Sequence, residues 1–332
     1  MVKDKVAVIG NGGWGTTLAI LLVKKGYSVS LWGAFSDYVQ FLKEKNENVK
    51  FLPGVPLPSS LKHTAHLDEA LDQVSWVVMA TPSPFMREVA QRVKKFYSQK
   101  MLIMSVAKGI EVGSLKTMSQ VLKEELNPSS IAVLSGPSHA EEVARGIPTS
   151  VSVASENSET AQGFQQLLMT DRFRIYTNSD LLGVEISGAL KNVISIAAGI
   201  SDGLGFGDNT KSALLTRGLA EMMRLGVAMG AKRETFYGLA GMGDLITTSF
   251  SPFGRNRKVG ELLGKGKPLS EILAGTEMVA EGVKTSVAVK ELSQKYSVEM
   301  PIAQKVYEVL YQGLAPLKAV ETLMMREAKA EG

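Results

Sequence analysis

The 332-residue chain contains no cysteine, so neither a disulfide nor a thiolate-held metal organises it. That absence also fits a reducing compartment such as the cytoplasm. Histidine is scarce: His63, His66 and His139 are the only three, and none stands in an H-E-x-x-H pattern, which argues against a zinc hydrolase. No metal site is expected. No apolar run reaches the ~18–20 residues of a membrane span. The N-terminus does not read as a signal peptide, because its apolar stretch is short and runs straight into glycine. Charge of one sign is not concentrated anywhere. The net charge is +4, yet Lys24, Lys25, Lys43, Lys45, Lys50, Lys94 and Lys95 are scattered, unlike the basic stripe of a nucleic-acid binder. A mild positive balance does suit anionic ligands.

What is present is an ordinary globular composition, 45% hydrophobic and 21% charged, on a chain longer than the ~250–300 residues at which a single core usually splits. Two domains are therefore expected. The most informative feature opens the first. The strand-like run Lys5–Ile9 leads into Gly10-Asn11-Gly12-Gly13-Trp14-Gly15, a G-x-G-x-x-G spacing between strand and helix. Gly10 allows the tight turn, Gly12 keeps a side chain out of an anion's way, and Gly15 lets helix pack on strand. The following helix aims its N-terminal amides at the same place. This is the pattern of a pyrophosphate-binding turn, although glycine-rich turns also occur for structural reasons alone.

The first half alternates short apolar runs with amphipathic stretches, the signature of parallel βαβ units. Strands are expected at 5–9, 28–32, 74–80, 101–107, 131–135, 149–154 and 172–177. The segment Phe51-Leu52-Pro53-Gly54-Val55-Pro56-Leu57-Pro58 is a rigid loop. After about residue 178 helical periodicity takes over, at 181–200, 210–229, 256–264, 284–296, 301–312 and 316–328. The expected fold is α/β, a Rossmann-type doubly wound sheet over 1–178 followed by an all-helical substrate domain over 179–332. The glycine-rich stretch Tyr237–Leu245 interrupts the helices as a loop.

Ligands of open α/β sheets bind beyond the carboxyl ends of the strands. Residues just after each strand are the candidates, Lys108 and Gly136-Pro137-Ser138-His139 among them. Lys108 reads equally well as a solvated strand-end lysine. Ser138 and Glu141 have the spacing of a capping box. In the second half, Lys191 stands in a small-residue stripe of Ser187, Gly188, Ser195 and Ala198 on an otherwise apolar helix. If buried there, its pKa falls and it can serve as a general acid or base; otherwise it snorkels to the surface. Asp244 is either a helix N-cap or a partner of Lys191. Gly254-Arg255-Asn256-Arg257 sets guanidinium groups beside a glycine, a combination suited to phosphate or to a solvated helix start.

Several segments taken together resemble the bacterial-type soluble NAD(P)-dependent sn-glycerol-3-phosphate dehydrogenases. They are Gly10–Thr16, Phe51–Gly54, Ala107–Ile110, Leu134–Val143, Ser187–Val193, Leu239–Leu245, Gly254–Arg257 and Glu281–Val283, in the family's order and across nearly the whole chain. The resemblance implies reversible reduction of dihydroxyacetone phosphate to sn-glycerol 3-phosphate with NAD or NADP, feeding glycerophospholipid synthesis. It implies Lys191 as proton donor and acceptor, with Lys108 and Asp244 beside it. It places cofactor contacts at Gly10, Gly12, Gly13, Trp14, Gly15, Lys108, Ala140, Arg255, Val279 and Glu281. Substrate contacts fall at Lys108, Gly136, Ser138, Lys191, Asp244, Gly254, Arg255 and Asn256. It suggests a homodimer in the cytoplasm.

Two departures stand out. After the second strand the chain reads Trp32-Gly33-Ala34-Phe35, with no acid for a ribose 2′-hydroxyl and no arginine for a 2′-phosphate, so cofactor preference is open. Many relatives also carry serine where this chain has Gly254. The enzyme rival is another two-domain reductase of 2-keto or 3-hydroxy acids. The binding-protein rival is a non-catalytic NAD(P) sensor, which would need no proton donor.

Overall fold

Short aliphatic runs form a central eight-stranded sheet, and the helices between them cover both faces. The computed structural model describes residues 4–275, 280–328 and 330. Its strands are β1 (Lys5–Ile9), β2 (Ser28–Trp32), β3 (Lys62–Thr64), β4 (Trp76–Met79), β5 (Leu102–Ser105), β6 (Ile131–Ser135), β7 (Thr149–Ala154) and β8 (Phe173–Asn178). Among and after them lie α1 (Gly13–Lys24), α2 (Ser36–Lys45), α3 (Leu67–Ala70), α4 (Met86–Lys94), α5 (Met118–Leu126), α6 (Ala140–Ala144) and α7 (Ser158–Leu168). The chain then becomes helical: α8 (Leu181–Gly203), α9 (Asp208–Ala228), α10 (Asp244–Phe250), α11 (Arg255–Gly264), α12 (Leu269–Ala274), α13 (Glu281–Lys295), α14 (Pro301–Tyr311) and α15 (Pro316–Met324).

The sheet order is β3-β2-β1-β4-β5-β6-β7-β8. The Rossmann-type sheet is borne out, with one correction to the expected run of parallel units. Every pair is parallel except β6 with β7, where Leu134 faces Val153 in antiparallel register. The physical reason lies in the connection. The only helix there, α6, has five residues and advances about 7 Å, too little to carry the chain back along β6 for a parallel return. The chain instead turns at the rim and comes back beside the strand it left. The second correction is β3, a three-residue edge strand without an apolar pattern to announce it. Leu18, Leu22 and Phe164 build the core on one face of the sheet; Met86, Val89 and Leu122 build it on the other.

A third core surrounds α8, including Leu190, Ile194, Met222, Phe236 and Val289. By length and composition α8 could cross a membrane, but 94% of its apolar window is buried inside the protein. A helix apolar all round belongs in a core. Its tightest neighbour is α11. A Cβ added at Gly260 would lie 2.0 Å from the Ile196 carbonyl oxygen, and one at Gly199 would lie 1.9 Å from that of Arg257. Gly199 and Gly203 on α8 meet Gly260 and Gly264 on α11, so two backbones touch where side chains would normally separate them. This contact sets Lys191, on α8, and Arg255, at the start of α11, in one rigid unit.

Candidate active site

The glycine turn sits between β1 and α1 at the carboxyl rim of the sheet. Gly10 has φ of +122°, and a Cβ there would lie 2.7 Å from the Ala80 carbonyl oxygen, so only glycine fits. Gly15 is as tightly held, against the carbonyl of Gly10. Gly12 differs: a Cβ added to it would meet nothing within 4 Å. Gly12 is the N-cap of α1, makes no side-chain cap, and no acid stands in the first turn. Open space in front of unsatisfied helix amides is what an anion requires. Trp14 packs its ring edge-on against Phe173, 6.2 Å between centroids, which leaves its backbone to the turn. Ala140 adjoins the same turn, and its carbonyl accepts from Thr17 Oγ1 at 3.2 Å.

Further along the rim three charged side chains converge. Asp244 accepts from Lys108 Nζ at 2.7 Å through Oδ2 and from Lys191 Nζ at 2.9 Å through Oδ1. Lys108 comes from the loop after β5, Lys191 from the middle of α8 and Asp244 from the start of α10. Lys191 is 5% exposed, so it does not snorkel, and Asp244 is 2% exposed. Asp244 is the first residue of α10 rather than its N-cap, which is Gly243. A single π-helical turn, Leu239–Gly243, leads into it, a form that tends to appear at functional sites. Burial pushes the Lys191 ammonium down to about 8, helped by the positive charges of Lys108 and Arg255, while Asp244 opposes the fall. Burial resists ionisation of Asp244, but the two lysines outweigh it and hold its carboxyl below the ordinary range.

The Gly136 carbonyl accepts from Lys108 Nζ at 2.9 Å and from Ser138 Oγ at 2.9 Å. Ser138 is not a capping residue: α6 is capped by His139, one position later, and carries no side-chain cap. Its hydroxyl bonds Gly136 because the backbone has not yet turned helical there. Arg255 is the first residue of α11, exposed, and close enough to depress Lys191. Asn256 is buried, and its side-chain oxygen accepts from the Gly282 amide at 3.0 Å. Glu281, first in α13, accepts from the Ser83 amide at 2.9 Å, joining the helical half to the loop after β4. Val279 lies outside the described residues.

Two neighbours, Thr248 and Asn192, were not marked by sequence, and a third, His139, stood only among the strand-end candidates. Thr248 touches Lys191 through its hydroxyl and Asp244 Oδ1 at 3.3 Å. Its signal was the four-residue spacing from Asp244, visible only once α10 is known to be helical. Asn192 donates to the Lys108 carbonyl at 2.9 Å and so holds that loop to α8. His139 stacks at a tilt on Phe253, and burial together with Lys191 and Lys108 lowers its pKa to about 4. A cavity of about 510 Å³ near Asp72 and Phe96 touches none of these residues. It lies by the start of β4 and β5, the end of the sheet away from the site.

The comparisons with known proteins fall on the same two halves. Residues 5–161 match the model for the NAD-dependent glycerol-3-phosphate dehydrogenase N-terminus, and 180–321 match its C-terminus. The chain belongs to this family. It is 51% identical to glycerol-3-phosphate dehydrogenase, NAD(P)+, of Citrifermentans bemidjiense, covering 100% of both chains. The Desulfitobacterium hafniense protein of the same name is 49% identical over 98% of this chain and 93% of its own. The crystal structure of glycerol-3-phosphate dehydrogenase from Coxiella burnetii superposes with a TM-score of 0.95 at 40% identity, covering 98% of this chain and all of that one.

A ketopantoate reductase from Ralstonia eutropha shares the fold alone, at 14% identity and a TM-score of 0.62. For a dehydrogenase of the glycerol-3-phosphate family the NAD(P) fit is supported by the open face of Gly12. At Gly254 a Cβ would lie 2.4 Å from the Thr248 carbonyl oxygen, so the loop before α11 packs against α10 with no room for a side chain.

Proposed function

We propose that the chain reversibly reduces dihydroxyacetone phosphate to sn-glycerol 3-phosphate, with Lys191 as the proton donor and acceptor. The observation that carries this reading is the Lys191–Asp244–Lys108 cluster, buried at Lys191 and Asp244 and half-buried at Lys108, on the same rim as an open dinucleotide turn. Bound NAD(P)H supplies the hydride. Gly10, Gly12, Gly13, Trp14 and Gly15 hold it through the turn, with Ala140, Lys108, Arg255 and Glu281 around it. Lys191, as an ammonium, gives a proton to the carbonyl oxygen; in the reverse direction the neutral amine takes it back. Asp244 steadies the charged form. Lys108, Gly136 and Ser138 flank the reacting carbons. Arg255 and Asn256, beside Gly254, grip the phosphate and so hold the ketone in register. Residues 1–178 and 179–332 act as the two working parts. The same reading sets the enzyme in the cytoplasm as a homodimer, its product feeding glycerophospholipid synthesis.

A substrate panel followed by nicotinamide absorbance tests the proposal, with NADH and NADPH in parallel. Dihydroxyacetone phosphate turns over, and unphosphorylated dihydroxyacetone loses about 10⁴-fold in kcat/KM because the phosphate grip is left unpaired. Preferential turnover of ketopantoate or another keto acid would replace the substrate assignment. Tight cofactor binding with no turnover of any ketone would favour a sensor. The two cofactor arms rank NADH against NADPH, which Gly33, buried, and the exposed Ala34 and Phe35 leave open.

A further inference from the structure

Residues 46–58, between α2 and β3, take no part in the proposed chemistry, yet they press directly on the dinucleotide turn. Asn48 is 0% exposed. Its Nδ2 donates to the Asn11 carbonyl at 2.9 Å and to Thr16 Oγ1 at 2.7 Å. Its Oδ1 accepts from the Tyr38 hydroxyl at 2.6 Å and from the Phe51 amide at 3.3 Å. A side-chain amide has two donors and one oxygen with two lone pairs, so every bonding position of Asn48 is used. The segment around it is itself anchored. Leu52 is fully buried, Glu47 accepts from the Gly54 amide at 2.7 Å, and the Phe51 carbonyl stands where a Cβ on Gly13 would be, 2.5 Å away.

The turn needs such an anchor. Gly10-Asn11-Gly12-Gly13 has three glycines in four residues, and glycine loses more conformational freedom on ordering than any other residue. A trans peptide is planar, with its C=O and N–H pointing in opposite directions. Holding the Asn11 carbonyl toward Asn48 therefore aims the Gly12 N–H to the other side. We propose that Asn48 is a positioning residue for the cofactor: it fixes the Asn11–Gly12 peptide plane so that the Gly12 amide faces the pyrophosphate. The inference rests on the dinucleotide-binding reading of the turn and gives the Phe51-Leu52-Pro53-Gly54 segment a purpose, as a strap that carries Asn48 into place.

The test measures Kd for NADH and for ADP-ribose by titration calorimetry on wild type, Asn48→Ala and Asn48→Asp. ADP-ribose keeps the pyrophosphate and lacks the nicotinamide. Both variants weaken both ligands about tenfold, the scale of one or two lost hydrogen bonds. kcat for the ketone at saturating NADH stays within about twofold of wild type, since the lysine cluster is untouched. Asn48→Asp is informative because it keeps the shape and turns an oxygen on the Asn11 carbonyl. Tyr38→Phe removes one of the four bonds, leaves the fold intact and raises both Kd values by a smaller factor. A folded Asn48→Ala that binds NADH and ADP-ribose like wild type would overturn the inference, as would an unchanged Tyr38→Phe if the alanine variant did not fold. Wild-type binding without turnover of dihydroxyacetone phosphate would defeat the proposed reaction and leave this inference standing. Normal turnover with unchanged Kd in the variants does the reverse.

Discussion

Lys191 lies under two opposing influences. Removal from water and the nearby Lys108 and Arg255 favour its neutral amine; Asp244 favours the ammonium. The balance near 8 leaves it able to give and take a proton at neutral pH, which a surface lysine near 10.4 does poorly. The sign of the pH dependence follows. Ketone reduction needs the ammonium, so kcat/KM for the ketone falls as pH rises through about 8, and oxidation of the alcohol rises through the same range. Asp244→Asn removes the charge that holds the proton, so the falling limb moves to lower pH. A pH–rate profile of the two proteins checks this; a limb that stays in place would assign the titration to another group. The sequence carried part of this site. The small residues around Lys191 were visible, because they recur at helical spacing. Whether the lysine was buried was not, because α10 and α11 cover it from some 50 to 60 residues away in the chain. Ser138 was misread for a local reason: the helix begins one residue later than the S-x-x-E spacing implied.

The decisive contact among elements is α8 against α11. Four glycines let the two backbones approach, and that approach fixes the offset between Lys191 and Arg255. Gly260→Ala drives a Cβ into the Ile196 carbonyl at 2.0 Å, with the Ile200 amide at 2.8 Å behind it. Neither is a flexible side chain, so the helices must separate, at about 1–3 kcal/mol. The thermal midpoint drops and KM for the phosphorylated ketone rises, while Kd for NADH holds. A thermal midpoint and KM equal to wild type would show that the contact has slack. Most elements were legible where period and length were strong, as in β1, α1 and α8. β3 was not, since three residues cannot show alternation. α10 was legible only as a helix start after Asp244, since the glycines before it read as a loop; in fact they form a π turn that runs into the helix.

At the scale of the molecule, the site exists only where the two halves meet. Lys108 and Gly136 come from the loops that follow β5 and β6, Lys191, Asp244 and Thr248 from the helices. Two cross-links near the site tie them: Asn192 to the Lys108 carbonyl and Glu281 to the Ser83 amide. A third lies deeper, where buried Glu185 on α8 accepts from the Ser119 amide at 2.8 Å at the start of α5. Burial raises the pKa of that carboxyl, while its bonds to Ser119 favour the ionised form. Motifs announced both halves separately, because each is local. Their docking was not legible, because it rests on pairs such as 119 with 185 and 83 with 281 that no local pattern links.

The central claim is that this junction positions Lys191 as the proton donor. Lys191→Met keeps length and apolar stem while removing the proton, and it is measured with dihydroxyacetone phosphate and saturating NADH alongside direct NADH binding. The account predicts a kcat lower by about 10²–10⁴-fold with Kd for NADH within about twofold of wild type. Turnover near the wild-type rate in that variant would contradict it and move the proton donor to another residue.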